Sequence, residues 1–365
     1  MWPDRRLTDL LDIKHPIIQA PMAGPSTPEL AAAVSNAGGL GSLAFAMLTA
    51  EQAASEVARL RVLTNKGFNV NFFCHQSPIP DAAVEVGWRS MLAPYYRELG
   101  LDPSAPSPAA SRMPFDSAMC DLVLSAGPKV VSFHFGLPEA TLLERVKAVG
   151  ITVLSSATTV AEARWLEAHG ADAIIAQGYE AGGHRGMFLS TDVATQAGTM
   201  ALVPQIVDAV RVPVIAAGGI GDARGIVAAL ALGAAGVQLG TAYLHCPEAK
   251  VSALHRAALG QASDDATALT NVFTGRPARG IVNRAIRELG PISDRAPQFP
   301  LPAASIGPLR TASEARDLDD FTPLWSGQSA GLGRRMSASE LTTRLAHQTQ
   351  EKLRGALGSR EQDGT

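Results

Sequence analysis

The segment QGYEAGGHRG, residues 177–186, directly follows the short apolar run of residues 171–176. This run includes the β-branched residues Ile174 and Ile175, which predicts a buried strand. The adjacent glycines Gly182 and Gly183 let the backbone turn sharply and approach a ligand closely. His184 comes next, so an imidazole lies at the carboxyl end of a buried strand, where parallel α/β folds carry their sites. Because glutamine, glutamate and arginine side chains share this loop, we interpret His184 as a functional residue and not as a surface histidine.

Similar apolar runs recur along the chain and alternate mostly with helical patterns. The predicted strands lie at residues 16–22, 40–44, 68–73, 130–136, 151–156, 173–176, 212–219 and 236–241. The predicted helices lie at residues 28–34, 49–63, 138–149, 159–169, 201–210, 222–232 and 337–357. Eight short strands alternating with helices predict an α/β fold of the (β/α)8 barrel type. A doubly wound open sheet is the alternative, but its Gly-rich phosphate fingerprint is missing after the first strand.

The alternation breaks in two Pro-rich segments, residues 74–119 and 246–320. We expect them to pack together as a smaller substrate-side lid lobe over the barrel mouth. The predicted barrel then comprises residues 1–73, 120–245 and 321–365, and it ends in a polar tail at 359–365.

Composition argues against several classes of protein. A net charge of −3 and a charged content of 18% disfavour nucleic-acid and anionic-membrane partners. No apolar stretch approaches the roughly 20 residues of a membrane span, and no apolar segment of a secretion signal follows the residues Met1 to Arg6. The three cysteines are widely spaced, without CxxC pairs, and no histidine spacing suggests a metal. We therefore expect a cytoplasmic protein with reduced thiols and no metal site.

Two glycine turns follow the last two predicted strands, at Gly218-Gly219 and at Gly240-Thr241. Glycine amides and the N-terminus of a following helix can together hold a phosphate. Either turn alone would also fit a glycine that only shortens a barrel loop, but the pair at adjacent strands favours phosphate. The rest of the phosphorylated ligand would cross the barrel mouth, past Met22, Asn71 and Gln177 at other strand ends.

Several motifs resemble those of class I nitronate monooxygenases, the FMN family once called 2-nitropropane dioxygenase. They are QAPMAG at 19–24, SNAGGLG at 35–41, SFHFG at 132–136, EAGGHRG at 180–186, AAGGI at 216–220, QLGTA at 238–242, TGRPARG at 274–280 and LWSGQ at 324–328. These matches are collinear and span nearly the whole chain. The resemblance implies a TIM-barrel flavoprotein with FMN as cofactor.

The resemblance and the predicted barrel also suggest roles for individual residues. FMN would be bound by Met22, Asn71, Gln177, Gly182, Gly183, Gly218, Gly219, Gln238, Leu239, Gly240 and Thr241. His184 would be the catalytic base or the group that binds the nitronate. His134 either lines the substrate pocket or is a structural histidine at a strand end. Glu180 and Arg185 would form a local pair that orients the loop.

The sequence departs from the family at the substrate end of the site. Class I members commonly carry Tyr-x3-Tyr-x3-Lys, where an ungapped alignment puts Phe299, Ala303 and Gly307. Two hydroxyl donors and a cation are therefore missing. We expect a more apolar pocket, formed in part by Phe299 and Ala303, that favours neutral nitroalkanes or alkyl nitronates over an acidic nitronate. A strong preference for the acidic substrate would mean that another cation, such as Arg279 or Arg284, replaces the lysine.

The expected function is that of an oxidoreductase, an FMN-dependent monooxygenase that uses O2 to convert nitronates or nitroalkanes into carbonyl compounds and nitrite. One alternative is an NAD(P)H-dependent FMN reductase acting on quinones or enoyl thioesters, since that branch shares the barrel and the glycines. Another is a flavin- or phosphate-binding barrel without catalysis. The expected partners are a small nitro compound and O2, and the sequence leaves a homodimer open.

Overall fold

The computed structural model describes residues 2–106 and 112–358. Their strands are β1 (Ile17–Gln19), β2 (Gly41–Ala44), β3 (Phe68–Phe73), β4 (Val130–His134), β5 (Thr152–Ala157), β6 (Ala173–Gln177), β7 (Gly183–His184), β8 (Val214–Ala217), β9 (Gly236–Leu239), β10 (Thr267–Thr270) and β11 (Ala278–Ile281). Eight of these strands run parallel in the order β1-β9-β8-β6-β5-β4-β3-β2. Two backbone hydrogen bonds of 3.0 Å, Gln19 N to Leu40 O and Leu40 N to Ile17 O, join β1 to the chain before β2. The predicted barrel is confirmed.

The helices of the described residues mostly follow the strands, as the sequence pattern predicts. They are α1 (Arg6–Leu11), α2 (Pro28–Asn36), α3 (Ala50–Leu63), α4 (Ala82–Glu98), α5 (Ser117–Ala126), α6 (Ala140–Ala148), α7 (Val160–Ala168), α8 (Thr199–Ala209), α9 (Ala223–Ala231), α10 (Thr241–Leu244), α11 (Ala253–Gln261), α12 (Arg284–Leu289), α13 (Pro302–Glu314) and α14 (Ala338–Gly358). Side-chain oxygens of Thr27, Thr49, Thr159 and Asp222 accept hydrogen bonds from first-turn N–H groups, which fixes four of the helix starts.

One end of the barrel is plugged by apolar side chains. Leu7 and Leu11 of α1 are fully buried and pack with Ile18 and Ile215 inside the ring. A Cβ atom on Gly236, the first residue of β9, would collide with Leu7, so α1 covers the amino ends of the strands. The loops at the opposite, carboxyl ends remain available for a site.

The two segments predicted to be irregular contain helices. In the first, α4 includes Pro94, and in the second, α13 includes Pro308. Both helices persist because their apolar faces share one core, in which Trp88 and Leu92 of α4 lie with Leu309 of α13. Burial of large side chains outweighs the one hydrogen bond that each proline removes. Residues 107–111 of the first segment and the polar tail at 359–365 lie outside the described residues.

A small antiparallel sheet, β10-β11-β7, connects the second segment to the loop of His184. Ala278 of β11 pairs with His184, and Arg279 pairs with Gly183. Gly183 has a φ of +72°, a value that favours glycine. His184 therefore lies on a short strand, whereas the sequence placed it in a loop.

No helix within residues 2–106 and 112–358 is long and apolar enough to cross a membrane. Cys74, Cys120 and Cys246 are all free, as their spacing predicts. Within the same part of the chain, no three His, Cys, Asp or Glu side chains are grouped as a metal site would require.

Candidate active site

A cavity of about 660 Å³ opens at the carboxyl ends of the barrel strands. Its size falls within the range of about 300–1,000 Å³ that is typical of small-molecule sites. The predicted cofactor residues that line it are Met22, Asn71, Gln177, Gly182, Gly183, Gly218, Gly219, Gln238, Gly240 and Thr241. Leu239 does not line it, because its side chain is buried in the core between the barrel and the helices.

The turn after β8 requires glycine. Gly218 has a φ of +103° and Gly219 a φ of +70°, both in the left-handed region. A Cβ atom on Gly218 would lie 2.9 Å from the backbone nitrogen of Ala181. The helix N-termini are less available to a phosphate than we expected. The Asp222 carboxylate already caps the start of α9, and α10 is only a single turn. An anion at this end of the cavity would therefore depend on glycine amides.

The three amide side chains of the cavity differ in their hydrogen bonding. Asn71 Nδ2 donates to Ser132 Oγ at 2.9 Å. Gln177 donates to the His184 carbonyl and accepts from Gly186 N, at 3.0 and 2.7 Å. Gln238 Oε1, in contrast, is buried and has no hydrogen-bond partner among the described residues. Leaving such an acceptor unpaired costs about 1–3 kcal/mol, so a ligand that donates to it would be stabilised.

His184 lies among aromatic rings at the edge of the cavity. Its ring centroid is 5.4 Å from that of Phe299, 5.5 Å from Trp325 and 6.1 Å from Phe73. Nε2 lies 2.9 Å from Thr274 Oγ1, and Nδ1 has no hydrogen bond to a described residue. Burial lowers the pKa of His184 well below its usual value, and nearby positive charge lowers this pKa further. The imidazole is therefore neutral at pH 7 and has a free lone pair for a proton.

His134 supports the main chain of His184. Its Nε2 lies 3.1 Å from the His184 carbonyl oxygen, and its Nδ1 lies 3.1 Å from Ser156 Oγ. A carbonyl can only accept, so His134 carries its proton on Nε2 and Ser156 donates to Nδ1. Burial lowers the pKa of His134 to about 4, so the ring is neutral at pH 7. His134 thus lines the cavity and also holds the strand that carries His184.

Glu180 and Arg185 do not form the local pair that we expected. Arg185 is fully buried and donates to the carbonyls of Gln177 and Gly178, at 2.7 and 2.6 Å. Glu180 instead accepts from the backbone and hydroxyl of Thr199, at 2.8 and 2.9 Å. Each residue therefore fixes a different side of the loop.

The substrate end of the cavity is more cationic than the sequence indicates. Arg112 and Arg310 line it. The predicted pocket residues Phe299 and Ala303 do not line it, although the Phe299 ring packs against His184. Neither cation suggested from the sequence lines the cavity. Arg279 is buried and donates to the Tyr179 carbonyl and to Thr267. Arg284 forms a salt bridge with the exposed Glu98 of α4.

Sequence reasoning missed Arg112 and Thr274 as site residues. Thr274 is the first residue of the TGRPARG motif, so the match to the family could have identified it. Arg112 lies in a segment without regular alternation, where no sequence signal separates it from other surface arginines.

The chain is similar to several known proteins. A family model described as nitronate monooxygenase matches residues 4–348. The chain is 45% identical to the nitronate monooxygenase of Pseudomonas aeruginosa over 356 residues, covering 96% of this chain and 99% of that protein. It is 44% identical to the nitronate monooxygenase of Paraburkholderia phytofirmans over 352 residues, covering 96% of each.

Two solved structures are also similar. The nitroalkane oxidase of Streptomyces ansochromogenes superposes with a TM-score of 0.87 at 41% identity, covering 96% of this chain and 99% of that one. FabK from Thermotoga maritima superposes with a TM-score of 0.73 at 28% identity, covering 98% of this chain and 100% of that one.

Proposed function

This chain belongs to the nitronate monooxygenase family, and we propose that it uses FMN and O2 to oxidise nitronates and nitroalkanes to carbonyl compounds and nitrite, with His184 as the base for the neutral substrates. The observation that carries the assignment of His184 is its neutral imidazole with a free Nδ1 at the edge of the cavity. Family membership makes the chain an oxidoreductase, as the motifs predicted.

The residues of the cavity are compatible with FMN. The amides at Gly218, Gly219 and Gly240 would hold its phosphate, where side chains would block a close approach. Gln238 Oε1, which lacks a hydrogen-bond partner among the described residues, would accept a hydrogen bond from a ring N–H of FMN. When bound, FMN would accept electrons from the substrate and pass them to O2.

The chain's own part in the reaction is proton transfer and exclusion of water. His184 Nδ1 would take the proton from the carbon that bears the nitro group, and the bonding electron pair would stay on the substrate as the nitronate. A general base contributes about 10²–10⁴-fold when its geometry and pKa suit the task. Phe73, Phe299 and Trp325 surround the imidazole and keep water from competing for its lone pair. A substrate that enters as a nitronate needs no such base.

Anaerobic stopped-flow spectroscopy tests this function. The purified protein should be yellow and should release FMN, not FAD, on denaturation. Ethylnitronate and nitroethane should bleach the flavin absorbance rapidly, whereas NADH and NADPH should not. Rapid bleaching by a pyridine nucleotide alone would instead support the reductase alternative. If flavin were bound but no donor reduced it, the result would support the alternative of a flavin-binding barrel without catalysis.

A further inference from the structure

The cavity has an asymmetric set of charges. Among the described residues that line it are the cations Arg112, Lys250 and Arg310, and no aspartate or glutamate. This contrasts with the whole chain, whose net charge is −3. A concave site with charge of one sign and apolar walls attracts ions of the opposite sign. Cavity-lining cations without a lining carboxylate therefore favour anionic ligands.

Of these cations, Arg112 is the one that is partly buried and whose charged group lacks a hydrogen bond or salt bridge to the described residues. Arg310 forms a salt bridge with Glu314, in which Nε and Oε1 lie 2.7 Å apart. Lys250 is exposed, so water solvates its ammonium group. The Arg112 guanidinium, in contrast, forms no hydrogen bond or salt bridge with a described residue, although it is half-buried. Burying an unpaired cation is costly, and a bound anion would offset that cost.

Arg112 lies on the same side of the cavity as His184. Its Cζ atom is 5.9 Å from the centroid of the Phe299 ring, and the His184 ring lies 5.4 Å from the same centroid. The positive charge of Arg112 is also among the causes of the lowered pKa of His184. One small molecule could therefore place its reactive carbon at His184 and a second group at Arg112.

We propose that Arg112 determines substrate specificity by binding a carboxylate carried by the nitro compound, a short chain away from the reacting carbon. The guanidinium can form two parallel hydrogen bonds to a carboxylate, which fixes both its position and its orientation. The proposal rests on the proposed function and reverses our expectation of a preference for neutral substrates. The cation of the usual family motif is thus replaced from the segment after α4, while the apolar Phe299 packs against His184.

The test compares substrates that differ in one charge. We would measure kcat and KM for 3-nitropropionate and for its methyl ester, both supplied as nitronates so that no base is needed. In Arg112→Met, kcat/KM for the carboxylate should fall about 10- to 100-fold, mostly through KM, which is the range of a charge-assisted hydrogen bond. The ester should change less than about threefold, and Arg112→Lys should recover part of the loss.

Arg211→Gln is the matched control, because it removes the same charge from an exposed site outside the cavity. FMN content and thermal midpoint should be the same in all variants, which excludes misfolding. If Arg112→Met lost activity equally on carboxylate and ester, Arg112 would bind the reacting nitro group and the proposal would be wrong. Unchanged kinetics on both would also overturn it.

A binding measurement separates this proposal from the proposed function. Succinate carries carboxylates but no nitro group, and calorimetry on the FMN-loaded protein should detect its binding to wild type and Arg211→Gln but not to Arg112→Met. If no nitro compound were oxidised and succinate still bound through Arg112, only the proposed function would fail. If nitronates were oxidised and succinate bound equally to all variants, only the role of Arg112 would fail.

Discussion

His184 Nε2 and Thr274 Oγ1 lie 2.9 Å apart and join two residues that are 90 positions apart in the chain. The Thr274 hydroxyl also lies 3.4 Å from the Arg276 carbonyl oxygen, which can only accept a hydrogen bond. The hydroxyl therefore donates to Arg276 and accepts from the N–H of His184. This arrangement places the proton of the neutral ring on Nε2 and its lone pair on Nδ1. Thr274 is thus a positioning residue for the base.

The first prediction concerns this contact. Thr274→Val keeps the shape of the side chain but removes the hydroxyl, so both ring tautomers become accessible. We expect kcat for nitroethane to fall about tenfold, the value of one ordinary hydrogen bond. Oxidation of ethylnitronate should stay within about twofold, since no base is needed. Thr274→Ser should restore activity on nitroethane, and failure of serine to do so would exclude the tautomer explanation.

The second prediction separates two roles for His184. His184→Asn preserves some hydrogen bonding and removes the base. Nitroethane oxidation should fall by about 10²–10⁴-fold, while ethylnitronate oxidation should persist with unchanged FMN content. Equal losses on both substrates would mean that His184 binds the nitronate instead. Loss of flavin would show a structural role.

The third prediction concerns pH. Burial disfavours the charged imidazole, so the pKa of His184 is lowered and the reactive neutral form persists below pH 6.5. As the pH falls, kcat/KM for nitroethane should stay constant through pH 6.5 and decline only near the lowered pKa. The measurement is a pH profile from pH 7.5 to the limit of protein stability. A decline centred at the ordinary histidine value, about pH 6.5, would show an unperturbed base. In His184→Asn this limb should be missing.

The fourth prediction concerns the glycine turn after β8. Gly219→Ala places a Cβ atom 3.3 Å from Glu180 Cβ in a backbone with a φ of +70°. A side chain in this region costs roughly 1–3 kcal/mol, so the turn should distort and FMN affinity should fall about 10- to 100-fold. Gly260→Ala is the control, because its Cβ would meet open space. Equal FMN affinity in the two variants would mean that the turn does not hold the cofactor.

The barrel could be predicted because most of its strands are short and largely apolar, as strands buried on both faces are. The predicted strand at residues 173–176 is typical, since all four residues are apolar and glycine follows closely. The main helices could be predicted from their caps, such as the capping box of Thr49 and Gln52. The structure agrees with these boundaries to within three residues.

The features that the sequence did not predict depend on long-range contacts. The strand β7 has only two residues, too few for any periodicity, and it exists because β11 pairs with it. In α4, Trp88 and Leu92 follow a helical spacing, but Pro94 and the surrounding prolines obscured the pattern. Arg112 faces the cavity because of how its segment packs in three dimensions. The positive charge of the cavity could therefore not be predicted from the local sequence.

The cavity residues proposed to hold FMN lie mostly at the carboxyl ends of barrel strands, whereas Arg112 lies between β3 and β4 and Arg310 lies in α13. Natural selection can therefore act on them separately. If the proposed roles hold, substitutions at Arg112 and along α13 would change which nitro compounds bind while FMN binding is unchanged. A directed-evolution library confined to these positions would then yield variants with new substrates and the same cofactor.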